Sequence, residues 1–351
     1  MNSDLAGKPL VTLLIPAFNE AATLPTTIPQ IDSALVELRG SYDFEAVIVD
    51  DGSSDETATV AAALAARHHW IRLIRHPGNR GLSEALRTGF ANSRGEYVVV
   101  LDADMSYGAE HIGALLAAIV KHSAHIVIAS PYMTGGKITN IPHARYVLSR
   151  LANRFLSYVS NSSLSTLTSM VRAYDGPFIR AMVLRGSRMA LMPEVIYKAM
   201  ILRAKVVEIP AHLDWSLLVG PNVRRRSSMR ILPQIFSTVM SGFAFRPFMF
   251  FILPGLFLGA FAAWVDFWTV AHFVEAYRAL PASATDAVTT AVAQAYAHYP
   301  YTFIVGLLTT MLSVQLLALG ILALQAKRYF EEIFTLGIHL NRRIIELAET
   351  E

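Results

Sequence analysis

Apolar positions in the first half of the chain fall into short runs, each followed by polar or turn-forming residues, with longer mixed segments between them. Val11 to Ile15 is closed by Pro16, and Glu45 to Val49 by Asp50-Asp51-Gly52-Ser53-Ser54-Asp55. Ile71 to Ile74, Tyr97 to Leu101 (closed by Asp102-Ala103-Asp104) and Ile126 to Ala129 repeat the pattern. Such near-continuous runs predict strands buried on both faces. Ala21 to Leu38, Thr57 to Arg67, Leu82 to Asn92 and Ala109 to His122 have helical composition. Strands alternating with helices predict an α/β fold with a mostly parallel sheet flanked by helices.

The pattern changes in the second half. Phe248 to Val265 carries no charge and extends to about Val270; Tyr301 to Gln325 is a second uncharged run. Each is long enough to cross a bilayer core. A helix buried in a soluble core is the competing reading. Arg224, Arg225, Arg226, Arg230 and Arg246 precede the first run, and Lys327, Arg328, Arg342 and Arg343 follow the second. Arg278 is the one Lys or Arg in the intervening loop, Glu275 to Pro300. That asymmetry predicts two spans in an inner or plasma membrane, with a short external loop and both termini cytoplasmic. Trp264, Trp268, Tyr296, Tyr299 and Tyr301 stand where interfacial aromatics are expected. Met229 to Phe245 reads as an amphipathic interfacial helix, and Tyr329 to Leu347 as a cytoplasmic helix on the bilayer, a neighbouring subunit or its own domain. The predicted organisation is a catalytic domain in 1–215, a basic loop and interfacial helix in 216–246, two spans in 247–325 (about 248–270 and 301–325) and a C-terminal helix in 326–351.

Composition agrees with this division. Hydrophobic residues make up 53% of the 351, and charged residues 16%; the apolar excess sits after Phe248. A net charge of +3 is too weak a bias to imply nucleic acid. The absence of cysteine excludes disulfides, thiolate metal sites and cysteine nucleophiles. Met1 to Leu10 has no apolar core, so no cleaved signal peptide is expected.

The candidate chemistry lies at the strand ends, since ligands of parallel α/β sheets bind beyond the carboxyl ends of the strands. Asn19 with Glu20, Asp50 with Asp51, and Asp102 with Asp104 occupy three such ends. Asp102 and Asp104, two apart as the chain leaves a strand, are expected to point the same way. Two hard oxygen ligands suit Mg²⁺ or Mn²⁺, and a metal there would neutralise a leaving diphosphate. Asp51 could accept hydrogen bonds from a base or ribose, while Ser54 or Asp55 could cap the following helix.

Pro16-Ala17-Phe18-Asn19-Glu20, Val49-Asp50-Asp51-Gly52-Ser53-Ser54-Asp55 and Leu101-Asp102-Ala103-Asp104, with Asn79-Arg80-Gly81 and Arg94-Gly95-Glu96-Tyr97 between them, resemble the signature stretches of family 2 glycosyltransferases. The resemblance covers about the first 215 residues. It implies the GT-A fold, a nucleotide-sugar donor (UDP- or GDP-linked) and inversion at the anomeric carbon. Thr168-Ser169-Met170-Val171-Arg172-Ala173-Tyr174, Glu194 and Glu208-Ile209-Pro210 are similar to stretches of dolichyl- and polyprenyl-phosphate sugar synthases, and the two C-terminal spans match their two-helix branch. That resemblance implies a polyprenyl phosphate acceptor. Pro16, Asn19, Glu20, Asp50, Asp51, Arg80, Gly81 and Asp102 would then bind the nucleotide sugar, with Arg224 and Arg226 in a basic segment closing over the diphosphate. Asp102 and Asp104 would hold the metal. Arg145 and Ser149, one helical turn apart, would meet the acceptor phosphate, with Arg172 and Glu194 also on the acceptor side; a plain surface arginine is the competing reading of Arg145. Relatives of this branch form tetramers, a possible role for Tyr329 to Leu347. The chain departs from the pattern at Ser106, Pro131, Thr166 and Met170-Val171. A processive polysaccharide synthase, which shares the fold, normally carries a Gln-X-X-Arg-Trp motif that Leu213-Asp214-Trp215 does not match. A non-catalytic membrane scaffold is opposed by the intact Glu20, Asp51, Asp102 and Asp104.

Overall fold

The five short apolar runs all become strands of one seven-stranded sheet, joined by two strands that the pattern did not single out. The computed structural model describes residues 7–160, 162–186, 191–214, 216, 246–281 and 286–348. The chain divides into two compact units, Met1–Gly242 with Thr335–Glu351, and Phe243–Phe334.

In the first unit the elements run β1 (Leu10–Ala17), α1 (Leu24–Leu38), β2 (Asp43–Asp50), α2 (Thr57–Arg67), β3 (Ile71–Arg75), α3 (Leu82–Asn92), β4 (Tyr97–Val100), α4 (His111–His122) and β5 (Ile126–Ser130). They continue through β6 (Lys137–Thr139), α5 (His143–Ser160), β7 (Arg172–Asp175), α6 (Gly176–Ala181), α7 (Leu191–Ile201), β8 (Val206–Pro210) and β9 (His212–Asp214). The sheet order is β3-β2-β1-β4-β7-β5-β8, with β6 and β9 forming a separate parallel pair. β1 is buried from Val11 to Ala17, as a central strand covered on both faces must be. Leu24, Ile28, Ile31 and Leu35 form the apolar stripe of α1 and join the core beneath it.

β7 departs from the parallel expectation: it runs antiparallel to both β4 and β5. The chain leaves β5 beyond its carboxyl end, returns from that same end and inserts between β4 and β5 running the other way.

In the second unit, α8 (Pro247–Ala279) and α9 (Ala287–His298) are followed by α10 (Pro300–Ala348), which continues into the first unit's residues. The expected loop between the apolar runs is thus partly helical, in keeping with its alanine content. The stretch expected as a separate C-terminal helix is continuous with the second apolar run. Phe248–Ala279 and Pro300–Gly337 are long and apolar enough to cross a membrane, with mean hydropathy 2.1 each. Only 17% and 11% of their most apolar windows are buried by the chain itself, which a core helix of a soluble protein would not tolerate. α8 meets α10 at small side chains: Ser313 Oγ donates to Gly255 O (2.8 Å), and Thr310 Oγ1 to Asp266 Oδ2 (2.7 Å).

Candidate active site

Register brings the three polar strand ends side by side. β1 pairs with β2 on one side, Ala17 opposite Asp50, and with β4 on the other, Leu14 opposite Val100. Leu101 N continues the ladder to Leu14 O (3.0 Å), so Asn19, Asp51 and Asp102 leave the sheet at one edge.

The first two ends are laced together. Asn19, in the left-handed region at φ 58°, donates its N–H to Ser53 Oγ (2.9 Å) and accepts from Ser54 N (2.9 Å) through its side chain. Glu20 is buried; its N–H reaches Thr57 Oγ1 (2.7 Å), and its carboxylate accepts from Thr23 Oγ1 (2.5 Å). Asp55 accepts from Thr57 N (3.0 Å) just before α2, but the N-cap position falls on Glu56, not on the Ser54 or Asp55 that the capping alternative named. Asp50 is fully buried, accepts from Ser53 N (3.1 Å) and lies 3.5 Å from Arg75 Nε. It shapes the turn from inside.

Asp51 organises the other side of the cleft. Its Oδ1 accepts from Arg80 N (3.0 Å) and meets His76 Nδ1 (2.7 Å), and its Oδ2 accepts from Gly81 N (2.7 Å). Arg80 and Gly81 are thus brought to Asp51 through their backbone. The Arg80 guanidinium is exposed and 3.5 Å from Glu84. Sequence reading missed His76, although it follows β3 immediately and so stands at a fourth strand end beside the other three.

Asp102 and Asp104 converge, though not by strand alternation. β4 ends at Val100, and Asp102 begins a turn in which Met105 N donates to Asp102 O (3.2 Å) and Met105 takes φ 52°. Ser106 Oγ lies 2.8 Å from Asp104 Oδ1 and 3.4 Å from Asp102 Oδ2. α1 steadies the turn through Thr27 Oγ1, which donates to Ala103 O (2.7 Å). Burial, and then the neighbouring Asp104 charge, push the Asp102 carboxyl up to about 7. Two half-buried carboxylates and a hydroxyl on one spot make an oxygen donor set that fits a hard divalent cation, which would relieve the repulsion.

The acceptor-side residues separate. Arg145 and Ser149 lie on α5 in series with Asn153, four residues apart. Asn153 is buried and accepts from Leu167 N (2.9 Å), Thr168 N (3.2 Å) and Thr168 Oγ1 (3.1 Å). Glu208 on β8 holds the same loop from the other side, accepting from Ser165 N and Thr166 N (both 2.7 Å). Asn153→Ala is expected to lower stability by about 1–3 kcal/mol, leaving two buried or half-buried N–H groups unpaired; urea unfolding of the full chain in detergent measures it. Arg145 is half-buried, and Ser149 hydrogen-bonds Tyr132. A cavity of about 480 Å³ opens beside them, lined among others by Tyr132, Asn140, His143, Tyr146 and Arg150.

Two residues expected on the acceptor side are engaged by other parts of the chain. Arg172 is fully buried and donates to Leu167 O (2.7 Å) and Met192 O (3.2 Å). It sits within β7, between β4 and β5. Glu194 accepts from Arg185 N (3.0 Å), Gly186 N (2.5 Å) and Lys198 Nζ (2.5 Å) and so fixes the approach to α7. Arg224 and Arg226, with the rest of the basic segment and Met229 to Phe245, lie outside the described residues.

Comparison with known proteins agrees with this architecture. The Glycosyl transferase family 2 profile matches residues 12–180. A dolichol-phosphate mannosyltransferase of Pyrococcus furiosus is 32% identical over 206 residues, 57% of this chain and 55% of that protein. A polyprenol monophosphomannose synthase of Mycolicibacterium smegmatis is 29% identical, covering 60% of this chain and 82% of that protein. An undecaprenyl-phosphate 4-deoxy-4-formamido-L-arabinose transferase of an Enterobacter species is 31% identical, covering 58% and 59%. The chain thus spans little more than half of the archaeal and Enterobacter proteins.

Proposed function

Because this chain carries a glycosyl transferase family 2 domain in residues 12–180, with the mostly parallel sheet of the GT-A fold, we propose that it moves a sugar from a nucleotide donor onto the phosphate of a polyprenyl lipid. The observation that carries this reading is the convergence of Asp102 and Asp104 on Ser106 beside the ends of β1 and β2. The relatives' names, which join a sugar to a polyprenyl-type phosphate, support the acceptor class.

Asp102 and Asp104 would hold Mg²⁺ or Mn²⁺, which when bound would supply charge neutralisation for a departing nucleoside diphosphate. Asp51, with the Arg80–Gly81 backbone, receives the base or ribose of a UDP- or GDP-linked sugar. Asn19 and Glu20 fix the turn that closes this pocket, and the family resemblance assigns Arg224 and Arg226 to the diphosphate. Arg145 and Ser149 face the acceptor phosphate with a fixed cation and a hydroxyl donor. A phosphate monoester is ionised near neutral pH, so the attacking oxygen needs positioning more than proton removal. In-line attack inverts the anomeric centre.

The two apolar helices seat the enzyme in the membrane that holds its acceptor. The excess of Lys and Arg on the outer flanks of the two runs supports a catalytic domain and both termini on the cytoplasmic side. The test is a panel of UDP- and GDP-sugars offered with undecaprenyl phosphate, with Mn²⁺ and with a chelator. Label entering a lipid monophosphate with one donor, and lost on chelation, is the expected result. Label entering a long polymer, or transfer indifferent to lipid phosphate, would overturn the reading.

A further inference from the structure

His76 has no part in the chemistry above, yet it is buried at 5% exposure and both ring nitrogens are engaged. Nδ1 meets Asp51 Oδ1 at 2.7 Å, and Nε2 meets Thr88 Oγ1 on α3 at 2.9 Å. The His76 N–H donates to Asp50 O (2.9 Å), which anchors the ring's own backbone to the end of β2. The imidazole therefore bridges the strand-end carboxylate and a helix behind it.

Three donors converge on Asp51: the His76 ring and the N–H groups of Arg80 and Gly81. A carboxylate offers about four acceptor positions. Among the described residues Oδ1 receives two donors and Oδ2 one, which leaves acceptor capacity on Oδ2. The Asp51 side chain is only 4% exposed, so a ligand reaches it at one edge, and its rotation decides whether that edge is presented. The backbone N–H groups alone would let the carboxylate tilt with the 78–81 turn. The imidazole, locked from behind by Thr88, removes that freedom.

We propose that His76 is a positioning residue for the donor nucleotide: with Thr88 behind it, it presets Asp51 and the 78–81 turn in the arrangement that receives the base or ribose. This rests on the assignment of Asp51 to the donor pocket. The ring is held before the nucleotide arrives, so the benefit falls on donor binding rather than on the chemical step.

The test uses the full chain in detergent, with UDP and GDP as calorimetric probes and donor and acceptor KM measured separately. His76→Leu is expected to weaken binding of the preferred nucleoside diphosphate by about tenfold, the effect of losing one charge-assisted hydrogen bond. Donor KM should rise in step, while kcat and acceptor KM stay within about threefold of wild type. His76→Asn, whose Nδ2 stands in for Nδ1, should recover most of the loss. Thr88→Val, which frees the ring from behind, should fall between the two. Unchanged nucleotide binding in His76→Leu would overturn the proposal. So would a loss as large in His76→Asn as in His76→Leu, or a fall confined to kcat. If His76→Leu fails to fold, the asparagine and valine variants decide by the same readings: wild-type binding in Thr88→Val with weak binding in His76→Asn counts against it. A wild-type chain that binds neither nucleotide defeats the donor-pocket reading itself, whatever the variants do.

Discussion

Replacing Asp104 by alanine should reduce sugar transfer by roughly a thousandfold or more, on the scale of removing a group that stabilises transition-state charge. Asp104 supplies one of two carboxylates in the proposed cation site, and Ser106 is the nearest remaining hydroxyl. One carboxylate and one hydroxyl do not hold a divalent ion against water. The fold should survive. Asp104 is half-buried and accepts from Ser106 N (3.1 Å) and Ser106 Oγ (2.8 Å), two residues along the chain. Its removal also relieves a repulsion, since the Asp104 charge is the second cause holding the Asp102 carboxyl up near 7. Two measurements separate these effects. Initial rates of transfer should collapse. In thermal melts, the stabilisation that Mn²⁺ gives the wild type should vanish, while the metal-free midpoint stays the same or rises slightly. An Asp104→Ala enzyme that keeps wild-type rates in Mn²⁺ would remove the metal assignment.

Gly52→Ala should cost about 2–5 kcal/mol and abolish donor binding, while Gly78→Ala, across the same contact, should be nearly silent. Gly52 has φ +66°, where a side chain is strained by about 1–2 kcal/mol. A Cβ there would stand 2.2 Å from the Gly78 carbonyl carbon and 2.6 Å from Asn79 N. Those are backbone atoms with no rotamer to yield, so overpacking adds about 1–3 kcal/mol. The damage lands on function because residues 78–81 carry the N–H groups that meet Asp51. A Cβ on Gly78 points into open space, with nothing within 4 Å, and Gly78 lies outside the positive-φ set. Thermal midpoints and nucleotide binding of the two single variants test the asymmetry. Equal effects would mean the two turns are not in contact.

The sequence by itself determined five of the seven strands of the sheet and the four helices between them. A run such as Leu13 to Ile15 is apolar at consecutive positions, and only a strand or helix covered on all sides satisfies it; its length and closing Pro16 choose the strand. Thr57–Arg67 and Leu82–Asn92 form the helices expected at those bounds. The residue types of the candidate site were legible too, since carboxylates clustered after apolar runs have few structural uses. The two uncharged runs gave two helices for the same reason of composition.

Only the tertiary structure decided how those residues are used. Arg172 and Glu194 look like ligands in one dimension, but burial and local hydrogen bonds turn them into supports for main-chain groups. Asp102 and Asp104 meet through a turn with a left-handed Met105 and a shared Ser106 hydroxyl, not through the pleat. The reversal of β7, inserted between β4 and β5, is a pairing between distant segments that local pattern does not encode. His76 acquires its role from Asp51, 25 residues away, and Thr88, 12 away. Local sequence fixes which faces must be buried; hydrogen-bond partners distant along the chain are chosen only when the packed sheet brings strand ends and helices within about 3 Å of one another.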